Sequence, residues 1–278
     1  MTVSTQRDAD PALDPASVLS GGPASVESTG PSTGPSTGWS EADLARVLAN
    51  RRWLVNRRPF RHVRAGNVFT PAFYEELRCA FDARISDEAA LHYARQHDFY
   101  GAPMRADTTG PLSVFWAPRF HQIFIDIFGV EFSGLVTGGV HRHHPGSRDG
   151  FPHNDISPEH LSALPEGEVL VSGAGQPADG PYVRAVAVLY YLNNGVWGPG
   201  DGGETGLYRH WSDPVGEPVA AAPPRDNTLL AFECTPYSYH SFRANRRRRD
   251  SVIVFLHRRL GGYLDQWGDD GIAQYADG

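Results

Sequence analysis

The sequence predicts a mainly β domain with flanking α-helices, built as a sandwich or jelly roll. From about residue 134, short runs rich in β-branched and aromatic residues alternate with turn residues, as is typical of all-β architectures. Helical signals lie in the N-terminal half, which favours helices packed outside a β core over alternating βαβ units. The β-rich runs cover residues 134–143, 183–193, 204–210, 227–233 and 250–258.

Local capping signals mark three helix starts. Ser40 and Asp43 form a capping-box pattern, which predicts that the run EADLARVLANRR is a short helix. Thr70 followed by Pro71 is typical of an N-cap and the first helical position. Pro118 opens a third helix, in which aromatic and aliphatic residues recur at helical spacing and are expected to be core.

The composition predicts one domain behind a tail. Residues 1–38 are rich in Ser, Thr, Gly and Pro, so we expect a disordered tail that buries little apolar surface. Residues 39–278 are expected to form a single domain. Its predicted parts are a helical segment at 39–130, a β core at about 131–260 and a short C-terminal extension at 261–278.

Charge and residue usage exclude several classes of protein. The formal net charge is −7, which disfavours general nucleic-acid binding, and no apolar run is long enough for a membrane span. The chain contains no lysine, so lysine Schiff-base and P-loop chemistry are ruled out. Two cysteines and no visible secretory signal predict a cytoplasmic protein.

One short motif points to a metal. His153 and Asp155 stand two residues apart, and in an extended strand such residues share a face and can reach one ion. The best third ligand is His240, just after a predicted strand. Two imidazoles and one carboxylate leave three positions of an octahedral ion open, as in non-haem Fe(II) oxygenases. Zinc accepts the same ligands, so zinc hydrolysis stays an alternative, as do purely structural histidines.

A second group of residues suits a dicarboxylate. Arg249 and Ser251 share a face of the predicted strand at 250–258, and a guanidinium fork with a hydroxyl fits a carboxylate end group. Tyr191 could donate a further hydrogen bond to the same group. The alternative is that the arginines at 246–249 form a solvated run, and Arg248 is the fallback if the strand phase shifts.

Taken together, these motifs resemble those of the Fe(II)/2-oxoglutarate-dependent dioxygenases, in the prolyl-hydroxylase-like branch. The resemblance covers roughly residues 58–260, and the order and spacing of its pieces are more specific than any single motif. The matching segments are RPFRHVRAGNVFTPAFYEEL (58–77), PHNDI (152–156), LYYLN (189–193), GGET (202–205), YSYHSF (237–242) and RDS (249–251).

The resemblance implies a double-stranded β-helix, a distorted cupin-like jelly roll, in a single oxygenase domain. It implies that His153, Asp155 and His240 bind Fe(II). The implied cofactors are Fe(II), the cosubstrate 2-oxoglutarate and O₂, with succinate and CO₂ as co-products. The presence of Asp155 disfavours halogenation, because halogenases of this superfamily replace that carboxylate with a small residue.

The resemblance also implies which residues hold the cosubstrate. It matches Arg249, assisted by Ser251 and Tyr191, to the residues that bind the distal carboxylate of 2-oxoglutarate.

We expect the substrate to be a small molecule, such as an amino acid or a natural-product intermediate, hydroxylated at a C–H bond in a biosynthetic reaction. Candidate substrate residues are His143, Arg148 and Trp197. The alternatives are a prolyl residue of a protein or peptide, desaturation or cyclisation, and an inactive β-helix binding protein. We expect no nucleic-acid or membrane partner, and the chain is a candidate homodimer.

Overall fold

The structure, a computed structural model, describes residues 38–50, 52–87, 91–94, 98–172 and 180–272. The predicted tail, apart from Gly38, and residues 273–278 of the predicted C-terminal extension lie outside these ranges. The helices are α1 (Glu41–Val47), α2 (Pro71–Ile85), α3 (Pro118–Phe128) and α4 (Leu260–Trp267), with 3₁₀ turns at Pro111–Trp116 and Leu161–Ala163.

All three predicted helix starts are confirmed. Ser40 and Asp43 form the capping box, Thr70 is the N-cap before Pro71, and Pro118 is the first residue of α3. The expected length of α1 is wrong, because the helix ends at Val47. Leu48 leaves the helix to form a bridge with Phe69, a long-range contact that local propensity does not encode.

In the described part of the chain the strands form two antiparallel sheets. The strands are β1 (Leu54–Asn56), β2 (His62–Gly66), β3 (His92–Ala94), β4 (Phe99–Pro103), β5 (Leu135–His143), β6 (Leu170–Val171), β7 (Tyr182–Leu192), β8 (Thr205–Leu207), β9 (Ala220–Ala222), β10 (Thr228–Glu233), β11 (His240–Phe242) and β12 (Arg249–Arg259). The large sheet has the order β1-β2-β10-β7-β12-β5-β4-β3, with β6 added to β5, and the small sheet has the order β11-β8-β9. Each predicted β-rich run overlaps one of these strands, so the mainly β architecture with flanking helices is confirmed.

Two hydrophobic clusters hold the layers together. In β7, Val188 and Tyr190 belong to a cluster shared with the helices, whereas Leu189 and Tyr191 belong to one shared with the small sheet. This alternation follows from the period of two in a strand and gives the large sheet two buried faces. The site described below lies between the two sheets.

None of the helices in the described part of the chain has the length and apolarity needed to cross a lipid bilayer.

Gly138 of β5 allows the close approach of its neighbours. A Cβ atom built there would lie 2.6 Å from the backbone oxygen of Ile253 and 3.1 Å from the ring of Trp116. We therefore expect Gly138→Ala to lower the free energy of unfolding by about 1–3 kcal/mol, the usual cost of overpacking. Urea denaturation measures this change.

Gly66→Ala is the matched control, because a Cβ atom at Gly66 meets no atom within 4 Å. We expect it to change stability by no more than about 1 kcal/mol. Equal stability of the two variants would contradict the packing described at Gly138.

Candidate metal centre and adjoining cavity

Three predicted metal ligands come together between the sheets. His153, Asp155 and His240 each offer one ligand atom, and these atoms all lie within 4.8 Å of one another. The Nε2 atom of His153 is 3.6 Å from Oδ1 of Asp155, and Nε2 of His240 is 3.3 Å from Oδ2. Among the described residues this is the group that could hold a metal ion. Its two imidazoles and one carboxylate suit a divalent transition metal.

Backbone pairing places the two histidines side by side. The amide of His153 donates to the carbonyl of His240 at 3.0 Å, and the amide of His240 donates back at 2.8 Å. Both rings are also oriented locally, since each Nδ1 lies about 3 Å from a carbonyl oxygen, that of Phe151 or Ser238. A carbonyl only accepts, so each Nδ1 donates to it and each Nε2 is the ring nitrogen that faces Asp155 and a metal ion.

Asp155 reaches the cluster by a turn. The predicted common face of His153 and Asp155 in an extended strand is wrong, because Asp155 has a φ of 63°, in the left-handed region. The side chain of Asn154 stabilises this turn by accepting from the amide of Ile156 at 3.1 Å and donating to the carbonyl of Pro236 at 3.3 Å. The carboxylate therefore converges with the imidazoles through local turn chemistry.

Arg184 sets the electrostatics of the carboxylate. Its Nη1 donates to Oδ1 of Asp155 at 2.6 Å. Burial acts to raise the pKa of Asp155, but the charge of Arg184, with His240 and His153, outweighs it and holds that pKa well below its usual range. The carboxylate is thus ionised and ready to bind a cation.

The cluster opens into a cavity of about 220 Å³ that also contains Arg249. The cavity is lined by Phe99, His141, His143, Gly150, Phe151, His153, Asp155, Arg184, Leu189, Thr205, His240, Ser241, Phe242, Arg249, Ile253 and Phe255. Arg249 is only 3% exposed, and its Nη2 donates to the hydroxyl of Thr205 at 3.1 Å. Its guanidinium lies over the rings of Tyr191 and Phe242, about 5 Å from each centroid.

Buried donors beside this cavity lack partners. Neither Nε of Arg249 nor the hydroxyl of Ser251 has a hydrogen-bond partner among the described residues, although both atoms are buried. No carboxylate of the described residues forms an ion pair with Arg249. Buried charges are normally paired, so this end of the site fits an anionic ligand such as a carboxylate.

Comparison with known proteins agrees with this chemistry. Residues 139–268 match the model of the 2OG-Fe(II) oxygenase superfamily, and this segment contains all three members of the cluster as well as Arg249. This segment is a 2OG-Fe(II) oxygenase domain. Fe(II), 2-oxoglutarate and O₂ are its cofactors and cosubstrates, and the zinc-hydrolase interpretation is left without support.

The solved structures to which this chain is similar include prolyl hydroxylases. The oxygenase is 16% identical to a prolyl hydroxylase from Trichoplax adhaerens in complex with a hypoxia inducible factor oxygen degradation domain peptide fragment. That match covers 74% of this chain and 86% of that one, with a TM-score of 0.50. It is 20% identical to a prolyl-4-hydroxylase from Pseudomonas putida over 71% of this chain and 92% of that one, with a TM-score of 0.49. No curated protein sequence matches the chain. The fold is the double-stranded β-helix that the family resemblance implies.

The predicted cosubstrate residues lie close together. Tyr191 is buried beside Arg249, but its hydroxyl hydrogen-bonds Thr205 at 2.7 Å and it does not line the cavity. Thr205 therefore contacts both Tyr191 and Arg249. The GGET motif in the sequence does not predict this role. Ser251 lies on the same strand face as Arg249, with its hydroxyl buried.

Of the three predicted substrate residues, His143 lines the cavity and the other two lie outside it. His143 lines the cavity and stacks on Phe242, with ring centroids 3.9 Å apart. Arg148 is exposed and does not line the cavity, because its backbone and side chain turn toward Asp98. Trp197 is buried outside the cavity, where it packs near Gly203.

The remaining arginines near the site include exposed ones, which the sequence predicts, and one in the cavity, which it does not. The three arginines at 246–248 are exposed, as expected for the start of the arginine run. Arg184, in contrast, lines the cavity and contacts a candidate metal ligand, although its position in a predicted strand gives no sign of this.

Removing one ligand tests the cluster as the metal site. We expect His240→Ala to weaken Mn(II) binding by more than the roughly 10- to 100-fold loss typical of an outer-shell change. Equilibrium dialysis of the protein against Mn(II) measures the affinity. His160→Ala removes an exposed imidazole and is expected to bind as the unaltered protein does. Equal binding by both variants would place the metal elsewhere.

Proposed function

We propose that this oxygenase hydroxylates an unactivated C–H bond of a small molecule, such as an amino acid or a natural-product intermediate, in a biosynthetic reaction. In this proposal His153, Asp155 and His240 hold Fe(II). Arg249 binds the distal carboxylate of 2-oxoglutarate, assisted by Ser251 and by Tyr191. The observation that carries the proposal is a buried, carboxylate-free arginine in the same cavity as a two-histidine, one-carboxylate cluster.

The protein surroundings support 2-oxoglutarate as the anion. A buried guanidinium without a counter-charge is costly, and a bidentate carboxylate offsets that cost. Thr205 fixes the guanidinium from one side, and the rings of Tyr191 and Phe242 exclude water from it. When bound, iron and 2-oxoglutarate supply the oxidising chemistry with O₂, releasing succinate and CO₂ and transferring one oxygen atom to the substrate.

The size and lining of the cavity bear on the substrate. Its volume of about 220 Å³ is below the range of roughly 300–1,000 Å³ that drug-sized ligands occupy. The cosubstrate therefore fills much of it, and the substrate presents a limited group to the metal. The remaining walls are largely aromatic or aliphatic, including Phe99, Phe151 and Ile253, which suits a group with unactivated C–H bonds.

We also propose that residues 39–278 make up one oxygenase domain. A single hydrophobic cluster joins residues of α1, α2 and α3 to residues of β5, β7, β10 and β12, which supports one shared core.

Arg249→Met tests the anchor for 2-oxoglutarate. Loss of one partner from a buried charged pair costs about 2–5 kcal/mol, so the half-saturating concentration of 2-oxoglutarate should rise roughly 30-fold or more. Anaerobic titration of the Fe(II) protein, followed by its visible charge-transfer band, measures this concentration. Arg246→Met, which alters an exposed arginine three residues away, is expected to titrate normally. An unchanged titration of Arg249→Met would move the anchor elsewhere.

A prolyl residue of a peptide is the second candidate substrate. The similar fold of a prolyl hydroxylase in complex with a peptide fragment motivates this candidate. Phe151 supports it further, since this residue lines the cavity and is half exposed, so a longer chain has an apolar surface to lie on.

Turnover with defined panels separates the two substrates. Free amino acids, carrier-bound amino acids and proline-containing peptides are incubated with Fe(II), 2-oxoglutarate and O₂, and succinate and product mass are measured. The proposal predicts a product heavier by one oxygen atom from a small molecule, with one succinate per product, and no product from Asp155→Ala. Oxygen transfer to peptides alone would replace the small-molecule proposal, and a product lighter by two hydrogen atoms would indicate desaturation or cyclisation.

A further inference from the structure

Among the described residues that line the cavity, Arg184 is the positively charged side chain that contacts a candidate metal ligand. The chemistry proposed above gives it no role. Its Nη1 donates to Oδ1 of Asp155 at 2.6 Å, and its Nη2 donates to Glu159 at 3.3 Å. Its guanidinium lies 3.9 Å from the ring centroid of Phe255, so the head group is held on one face by an aromatic ring. Three contacts therefore fix the side chain that grips the carboxylate.

A β-bulge turns Arg184 toward the metal cluster. In β7, Ala187 belongs to the cluster between the sheets, whereas Ala185 and Val186 both belong to the cluster beneath the helices. The pairing of β12 with β7 shifts register at this point, from Leu256 opposite Val186 to His257 opposite Arg184. Strict alternation would put residue 184 on the helix side with Val186. The extra residue reverses the phase, and re-aiming a side chain is a known use of bulges beside active sites.

The two carboxylate oxygens of Asp155 face different partners. Oδ1 accepts the hydrogen bond from Arg184 and lies 3.6 Å from Nε2 of His153, whereas Oδ2 lies 3.3 Å from Nε2 of His240. The backbone of Asp155 is in the left-handed region, which is uncommon for a residue with a side chain, and Asn154 stabilises the turn from the other side. Arg184 is therefore the contact on the cavity side that fixes the rotation of the carboxylate and holds the turn.

We propose that Arg184 is a positioning residue that engages Oδ1 of Asp155 and leaves Oδ2 as the single oxygen offered to the metal. Binding through one oxygen keeps the remaining positions of the ion free for 2-oxoglutarate and O₂. This inference rests on the proposed assignment of Asp155 as a metal ligand.

Charge and orientation make opposite predictions for the loss of Arg184. A cation beside the site repels a metal ion, so if Arg184 acted only as a counter-charge, its removal would tighten metal binding at a pH that keeps Asp155 ionised. If Arg184 orients the carboxylate, its removal weakens metal binding by about 10-fold or more, as for other partners of metal ligands. The sign of the change therefore decides between the two roles.

The experiment measures the affinity of the full-length, metal-free protein for Mn(II), with free ion quantified by electron paramagnetic resonance. We expect Arg184→Met to weaken binding by about 10-fold or more and Arg184→Lys, which keeps the charge and one donor, to recover part of the loss. Glu159→Gln removes the other ion-pair partner of Arg184 and is expected to stay within about threefold of the unaltered protein. Circular dichroism and the melting temperature of each metal-free variant report whether it is folded.

Unchanged or tighter binding by folded Arg184→Met would overturn the inference. Should Arg184→Met not fold, Arg184→Gln is measured instead, with the same expected loss and the same contradicting result. Failure of the proposed metal site would be visible separately, since the unaltered protein and His240→Ala would then bind Mn(II) equally.

Discussion

The pair of backbone hydrogen bonds between His153 and His240 is the interaction on which the site depends. Through it, the segment before Asp155 becomes the outer neighbour of β11, and the amide of Gly150 extends the pairing by donating to Phe242 at 2.9 Å. Two ligands far apart in sequence are thereby fixed by main-chain geometry. Main-chain pairing holds a first coordination sphere more rigidly than flexible side chains alone could.

Two arginines divide the electrostatics of the cavity. Arg184 is paired with two carboxylates of the protein, those of Asp155 and Glu159. Arg249 is buried without a carboxylate among the described residues and so is available to a ligand. Because a buried charge needs a partner, Arg184 supports the structure of the site, whereas Arg249 is available to bind a ligand. The carboxylate of 2-oxoglutarate is the partner that the proposed function gives to Arg249.

Features encoded locally could be predicted from the sequence. The helix starts at Ser40, Thr70 and Pro118 follow from capping and proline geometry, and the predicted β-rich runs overlap β5, β7, β8, β10 and β12. The grouping of His153 with His240 was also predicted, but from the ligand types that a metal needs and from a family resemblance. Local pattern alone contains no information on which distant strands pair.

Features set by long-range packing could not be predicted. Helix α1 stops early because Leu48 pairs with Phe69, and Asp155 converges through a left-handed turn that its motif does not signal. Arg184 was missed because an unbroken period of two puts it on the wrong face, and a bulge is invisible without its partner strand. Arg148 was placed at the site by proximity in sequence, whereas its contacts hold it outside the cavity.

The central claim is that one cavity holds a metal on the three-residue cluster and a carboxylate on Arg249. A crystal structure of the protein grown without oxygen, with Mn(II) and 2-oxoglutarate, tests it most directly. The account predicts Mn(II) bound to His153, Asp155 and His240, and a carboxylate of 2-oxoglutarate paired with Arg249. A metal bound outside this cluster, or 2-oxoglutarate bound with Arg249 left unpaired, would contradict it.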